Sequence, residues 1–168
     1  MKQKIVPDRY QVVPRTLCFI THGDDVLLLR GAPDKKIWPD QYNGVGGHVR
    51  PGEDVRTAAR REIREETGLT VRDLRLRGVI NIPVDPEGTG ILLFVFTAAA
   101  EGRDVRPSEE GTPEWVPVDA VEGLDVVEDL PILLPRLLSM GPDEPPFFAL
   151  YTYDEDGNLV VTYAPPTA

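Results

Sequence analysis

The stretch from Glu53 to Thr67 constrains this chain more than any other. It contains no Pro or Gly, is rich in strong helix formers, and is followed by Gly68, suited to the left-handed cap that ends a helix. A helix over Glu53–Thr67 turns by about 100° per residue. Val55, Ala58, Ala59, Glu62 and Glu66 then share one face, while Arg56, Arg60 and Arg64 point away. The small apolar face that must pack on the rest of the protein thus carries two glutamates one turn apart, with Glu65 at its edge. A buried carboxylate without compensation is costly, so these groups need cations beside them. Two compensations are open. One is a set of salt bridges, for example from Arg61; the other is a hard divalent cation held by clustered oxygens, the usual companion of phosphate substrates. The preceding Gly46-Gly47 favours the cation, because glycines permit close backbone approach and let a carbonyl turn toward a metal.

Gly47, Glu53 and the run Arg61-Glu62-Ile63-Arg64-Glu65-Glu66-Thr67-Gly68-Leu69 stand at the spacing G-x5-E-x7-R-E-U-x-E-E-x-G-U. This is the Nudix box, matched at every defined position, and the chain resembles the Nudix hydrolases. The resemblance implies an α/β fold, a Nudix-type α/β/α sandwich with a mixed sheet and the box helix. It implies that Glu62, Glu65 and Glu66 bind Mg²⁺ (or Mn²⁺), with the Gly46 carbonyl as a further ligand. Glu53 and Arg61 resemble the pair that fixes the loop to the helix. The family varies in its general base, sometimes using an acid outside the box; Glu110, with Glu109 next, is the candidate here and a further metal ligand. His48 is read as an incidental loop residue.

Secondary structure is expected as strands at Thr16–Ile20 and Val26–Arg30 joined by Gly23-Asp24-Asp25, a good hairpin turn. Further strands are expected at Leu76–Ile82 and Ile91–Thr97, separated by a turn-rich loop from Pro83 to Gly90, and at Glu114–Val118. Pro131–Met140 reads as a second helix, with Pro131 in its first turn and Pro135 tolerable only near that turn. Phe147–Tyr153 and Asn158–Tyr163 flank Asp154-Glu155-Asp156-Gly157 as a terminal hairpin. No repeat or linker divides the chain, so residues 1–168 are expected to form a single domain, with residues 1–10 and 164–168 as flexible tails.

Composition narrows the partners. With 41% hydrophobic and 27% charged residues the chain has the balance of a globular protein. The net charge of −10, with no dense basic patch, argues against nucleic acid. No apolar run is long enough to span a bilayer, and the N-terminus lacks a signal-peptide stretch. The lone Cys18 has no intrachain disulfide partner and sits in an apolar run, which suits a core position in a reducing compartment. The expectation is a cytoplasmic monomer or homodimer acting on a small nucleotide.

Three segments outside the box resemble the MutT-like enzymes that hydrolyse oxidised purine nucleoside triphosphates. Tyr42-Asn43-Gly44-Val45-Gly46-Gly47 is similar to their W-N-G-F-G-G, which puts Asn43 in the place of a base-reading asparagine. Ser108-Glu109-Glu110, Pro113 and Trp115 resemble S-D-E-x-x-P-x-W, and Phe148–Tyr163 resembles their terminal hairpin. Their W-P-D-D corresponds to Val126-Val127-Glu128-Asp129, so Glu128 and Asp129 are candidate base readers, but no aromatic is present there to stack on a base. The implied reaction releases nucleoside monophosphate and pyrophosphate from a nucleoside triphosphate or a related diphosphate derivative, oxidised purine nucleotides included. Two alternatives stand beside it: an ADP-ribose or nucleotide-sugar pyrophosphatase, for which Pro83 and Pro86 lie near the expected proline, and a non-catalytic nucleotide sensor of the same fold.

Overall fold

The computed structural model describes residues 3–85 and 88–165. The described residues form eight strands in one mixed sheet and two α-helices. In chain order these are β1 (Gln11–His22), β2 (Asp25–Gly31), β3 (Tyr42–Asn43), α1 (Val55–Thr67), β4 (Val71–Asp85), β5 (Thr89–Ala100), β6 (Gly111–Pro117), α2 (Leu130–Ser139), β7 (Phe147–Tyr153) and β8 (Leu159–Tyr163).

The sheet runs β3-β2-β1-β5-β4-β7-β8, with β6 also pairing to β2. β1 and β5 are parallel, as are β4 and β7; the remaining pairs are antiparallel. Side chains alternate across β1 and so divide two cores. Leu17 and Phe19 pack with Leu130, Leu133, Leu134 and Leu137 of α2. Cys18 and Ile20 pack with Ala59 and Ile63 of α1. A helix on each face of a mixed sheet is the α/β/α sandwich expected from the sequence. Cys18 is fully buried in the α1-side core, as its apolar surroundings foretold.

Several boundaries differ from expectation, for local physical reasons. α1 begins at Val55 rather than Glu53, because Asp54 is the N-cap and its carboxylate accepts the N–H groups of Arg56 and Thr57, each at 2.9 Å. Glu53 is left in the turn before the helix, free to bond elsewhere. The expected loop from Pro83 to Gly90 is mostly strand: β4 continues to Asp85 and β5 starts at Thr89. The ladder shifts register between Pro83 and Asp85, a bulge that accommodates the proline. Pro86 and Glu87 lie outside the described residues, as do residues 1, 2 and 166–168 of the expected tails. Within the N-terminal stretch, Tyr10 donates its hydroxyl to Asn81 Oδ1 at 2.7 Å. α2 covers Leu130–Ser139 with Pro131 in its first turn and Pro135 one turn further on.

Candidate active site

The box loop is laid along β1 by backbone pairing. Val45 exchanges hydrogen bonds with Cys18, and Gly47 with Thr16. The amide and carbonyl of Gly46, between them, therefore face away from β1. That N–H donates to Glu66 Oε2 at 3.3 Å. In extended backbone the carbonyl of the same residue faces the same side, so the Gly46 oxygen lies at the edge where Glu66 sits. Space demands glycine at Gly46, where a Cβ would meet the Thr16 carbonyl oxygen at 2.0 Å; one on Gly47 would meet the movable Glu62 carboxylate, with Oε1 at 2.6 Å.

Glu66 is only 4% exposed. Burial, then the charges of Glu62 and Glu110, push its carboxyl up to about 8, against the smaller opposing effects of the Gly46 N–H and Lys35. The charges of Glu62, Glu110 and Lys35 thus all act on this one carboxylate. Glu110 pairs with Lys35 Nζ at 2.5 Å, and its carbonyl accepts the N–H of Ala32. The acid from the loop entering β6 and the lysine from the loop after β2 thus meet each other, and the charges of both are felt at Glu66. Lys35 was not singled out from the sequence, since it is one of several polar residues between Ala32 and Gln41.

Arg61 is the hub of the loop. Its guanidinium donates to Glu53 through Nη2 (2.6 Å) and Nε (3.0 Å), to Glu62 Oε1 (2.6 Å), to Glu65 Oε2 (3.1 Å) and to the His48 carbonyl (3.0 Å). Bidentate pairing with Arg61 and the Arg50 N–H hold the Glu53 carboxyl down to about 2. The same carboxylates push Arg61 still further up. Glu65 is on the rim, bound by Arg61 and by Arg50 at 3.1 Å, rather than beside Glu66.

A divalent cation can be judged against this donor set. Glu66, Glu62 and the Gly46 carbonyl offer oxygens only, with net negative charge, which suits Mg²⁺ or Mn²⁺. Among the described residues, no side-chain cation is bonded to the desolvated Glu66 carboxylate. As the side chains stand, no three Asp, Glu, His or Cys groups converge on one point among the described residues, because Glu65 and Glu110 are drawn to Arg50, Arg61 and Lys35.

The candidate base readers come from two segments that touch. The N–H of Tyr42 donates to the Asp125 carbonyl (2.9 Å), and that of Val127 to the Tyr42 carbonyl (3.0 Å). This brings the chain at Asn43 alongside that leading to Glu128 and Asp129. Asn43 is half-buried, and its Oδ1 accepts the Gly44 N–H at 2.7 Å. Val127, at the position compared with a stacking tryptophan, is buried in the α2-side core. Glu128 accepts the Tyr153 hydroxyl. Asp129 is half-buried, and burial followed by the Glu128 charge raises its carboxyl. Tyr151, two residues from Tyr153 and so on the same face of β7, is buried with its hydroxyl unbonded among the described residues. Burial and Asp129 push that hydroxyl upward. The Tyr151–Tyr153 alternation was the available signal for these two tyrosines beside Glu128 and Asp129.

The sandwich and the carboxylate-bearing box helix define a phosphoanhydride hydrolase of the MutT-like type. The NUDIX domain family matches residues 12–137, so the chain belongs to the Nudix family and is a Nudix hydrolase. It is 35% identical over 108 residues to an oxidized purine nucleoside triphosphate hydrolase of Danio rerio, covering 63% of this chain and 67% of that protein. It is 34% identical over 114 residues to the uncharacterized Nudix hydrolase YvcI of Bacillus subtilis, covering 65% of this chain and 68% of that protein. Among solved structures, the MutT protein from Bacillus halodurans superposes with a TM-score of 0.75 at 26% identity, over 93% of this chain and 100% of that one. Nudix hydrolases generally use a divalent metal, in keeping with the oxygen donors described above.

Proposed function

We propose that this enzyme hydrolyses a phosphoanhydride in a nucleoside triphosphate or related nucleoside diphosphate derivative, with Mg²⁺ (or Mn²⁺), releasing nucleoside monophosphate and pyrophosphate from a triphosphate. The observation that carries the reading is the buried Glu66 carboxylate set against Gly46, Glu62 and Glu110. A carboxylate desolvated among like charges is poised to take up positive charge, whether proton or metal. A bound divalent cation would neutralise phosphate oxygens and acidify a water. Glu62, Glu66 and the Gly46 carbonyl would hold it, with Glu65 joining by exchanging its arginine partners.

The chain's own groups account for the remaining roles. Arg61 fixes the loop through Glu53 and His48, so that Gly46 and Glu62 keep their places. Glu110 is the candidate acceptor for the proton of the attacking water, and Lys35 holds it near Glu66. Asn43, Glu128 and Asp129 form the candidate base pocket. An amide can serve a purine edge as both donor and acceptor, and a carboxylate can accept from a base N–H. The named activity of the Danio rerio relative supports oxidised purine nucleotides as substrates to test. The test is a panel of ordinary and oxidised nucleoside triphosphates and ADP-ribose, with mononucleotide and pyrophosphate resolved. Release of mononucleotide from a triphosphate, lost in chelator, is expected; turnover of ADP-ribose alone would overturn the triphosphate reading.

A further inference from the structure

We propose that strand β8 pairs antiparallel with β8 of a second copy of this chain, about a two-fold axis at Val161, so that one sheet continues through a homodimer.

The two ends of the sheet are built differently. At one end β6 carries Pro113 and Pro117, which have no N–H to offer, and Glu114. Prolines and charges are the means by which sheet edges are kept from pairing. The short β3 is flanked instead, through the backbone bonds of Tyr42 with Asp125 and Val127. At the other end β8 reads Leu159-Val160-Val161-Thr162-Tyr163 and holds no charge, Pro or Gly, in a chain with 27% charged residues. Apart from Leu159 its side chains are β-branched or aromatic, the types that favour a strand. Among the described residues β8 pairs with β7 alone.

That pairing fixes which backbone groups face outward. The Ala164 N–H donates to the Phe148 carbonyl, and the Asp154 N–H to the Asn158 carbonyl. Hydrogen-bonded pairs alternate along an antiparallel ladder, so between these two lie Leu150–Thr162 and Thr152–Val160. Leu159, Val161 and Tyr163 therefore turn their N–H and C=O groups to the free edge. A two-fold axis at Val161 sets this residue against its own copy, and Leu159 against Tyr163 of the other chain. Every outward-facing residue then belongs to a hydrogen-bonded pair. One contact uses the open β8 edge of both copies, so the assembly closes as a dimer instead of growing.

Charge favours a second copy as the occupant. Arg136 of α2 stands over the rings of Phe147 and Tyr163, 4.7 and 4.2 Å from their centroids. Its side chain makes no hydrogen bond or ion pair among the described residues, and its Nε is buried. In the two-fold register Tyr163 faces Leu159 of the second copy, which directly follows that copy's turn with the exposed Glu155 and Asp156. The acidic turn thus arrives at the end of β8 where the unpaired arginine lies, and symmetry repeats the contact. The strand itself is uncharged, so two chains of net charge −10 meet there without like charges opposed. An edge of five residues is short beside standard interfaces of about 1,600 Å², so the dimer dissociates on dilution.

The test is sedimentation equilibrium of the full chain across a concentration series. Wild type should approach twice the chain mass, with monomer appearing on dilution. Val161→Pro removes an N–H that β7 does not use, so the monomer should stay folded by circular dichroism. The dimer should weaken about tenfold or more, because the bonds at the axis are lost from both copies. Glu155→Lys combined with Asp156→Lys changes two exposed side chains that bond to nothing among the described residues, and it too should weaken the dimer. This second variant decides the matter if Val161→Pro does not fold. A wild type that stays monomeric up to about 1 mM, or a dimer that neither variant weakens, would overturn the pairing. Species that grow beyond a dimer with concentration would overturn the closed two-fold register.

Discussion

Glu66 accepts the Gly46 N–H at 3.3 Å, which ties the inner face of the box helix to the loop that precedes it by twenty positions. This bond is a modest one for a carboxylate that is almost wholly buried. It offsets only part of the desolvation, and the neighbouring Glu62 and Glu110 add to the cost. Glu66→Gln keeps the size and the ability to accept from Gly46 while removing the charge. Turnover should fall by several orders of magnitude, with the fold intact by circular dichroism. Near-normal kcat in this variant would remove Glu66 from the principal metal-binding groups.

The same carboxyl predicts how stability follows pH when metal is withheld. Its folded-state value is about 8, against an ordinary 4.5, so the folded protein holds this proton more tightly than the unfolded chain. Stability from this group is greatest below the unfolded value and declines as pH rises from about 4.5 to about 8, levelling off above. In chelator, the thermal midpoint of wild type should therefore drop across that window more steeply than that of Glu66→Gln. Above pH 8 the variant should be the more stable of the two, by something on the order of a few kcal/mol. Parallel pH curves for the two proteins would show that Glu66 is not the group responsible.

Gly47 offers a steric test of the carboxylate arrangement. A Cβ there would sit 2.6 Å from Glu62 Oε1, and the carboxylate is the end of a flexible side chain, so it would swing aside rather than break the fold. Gly47→Ala should retain a near-normal thermal midpoint yet lose roughly tenfold or more in kcat, as expected when a positioned group moves by about 1 Å. Gly46→Ala is the contrasting case, because its Cβ would strike the Thr16 backbone at 2.0 Å. It should be strongly destabilised. Equal stability for the two variants would contradict the loop geometry.

Arg61 connects the loop and helix through five hydrogen bonds that reach three carboxylates and one carbonyl. Arg61→Lys retains charge but cannot reproduce the planar, bidentate grip on Glu53. Turnover should fall and the thermal midpoint should drop, with Arg61→Ala worse on both counts. Full activity in Arg61→Lys would mean that charge, not geometry, is what the loop needs.

The box helix was readable because helical periodicity and fixed motif spacing act within a short stretch of chain. The two glutamates on its apolar face, Glu62 and Glu66, could be placed from about 100° of turn per residue alone. The limits came wherever the outcome depends on distant segments. Glu65 shares the motif, but its direction is set by Arg50, fifteen positions away in the loop. Lys35 meets Glu110 only because β2 and β6 pair side by side. The stretch from Pro83 to Gly90 reads as a loop because it is rich in turn residues, and a bulge that absorbs Pro83 leaves no mark in a pattern of period two. Val127 could be recognised as lacking an aromatic ring, but its burial in the core follows from the pairing of Tyr42 with Val126.

The proposed base pocket gives the last prediction. Tyr42 and Val127 are joined by a backbone hydrogen bond of 3.0 Å, which sets Asn43 beside the segment carrying Glu128 and Asp129. The Asn43 oxygen already accepts from the Gly44 N–H, so the amide NH₂ is the part of this side chain left to meet a base. A donor of that kind favours purines that present an acceptor at the matching edge. Asn43→Ala should then alter discrimination among bases chiefly through KM, with a loss of about 1–3 kcal/mol for the preferred one. Because Val127 is in the core rather than facing a ligand, no ring stacks from that position. Selectivity should accordingly be looser than in enzymes with tryptophan there. The measurement is kcat/KM for a panel of ordinary and oxidised triphosphates with wild type and Asn43→Ala. Equal proportional losses on every base, or none, would remove Asn43 from base recognition and leave its bond to Gly44 as a purely structural feature of the loop.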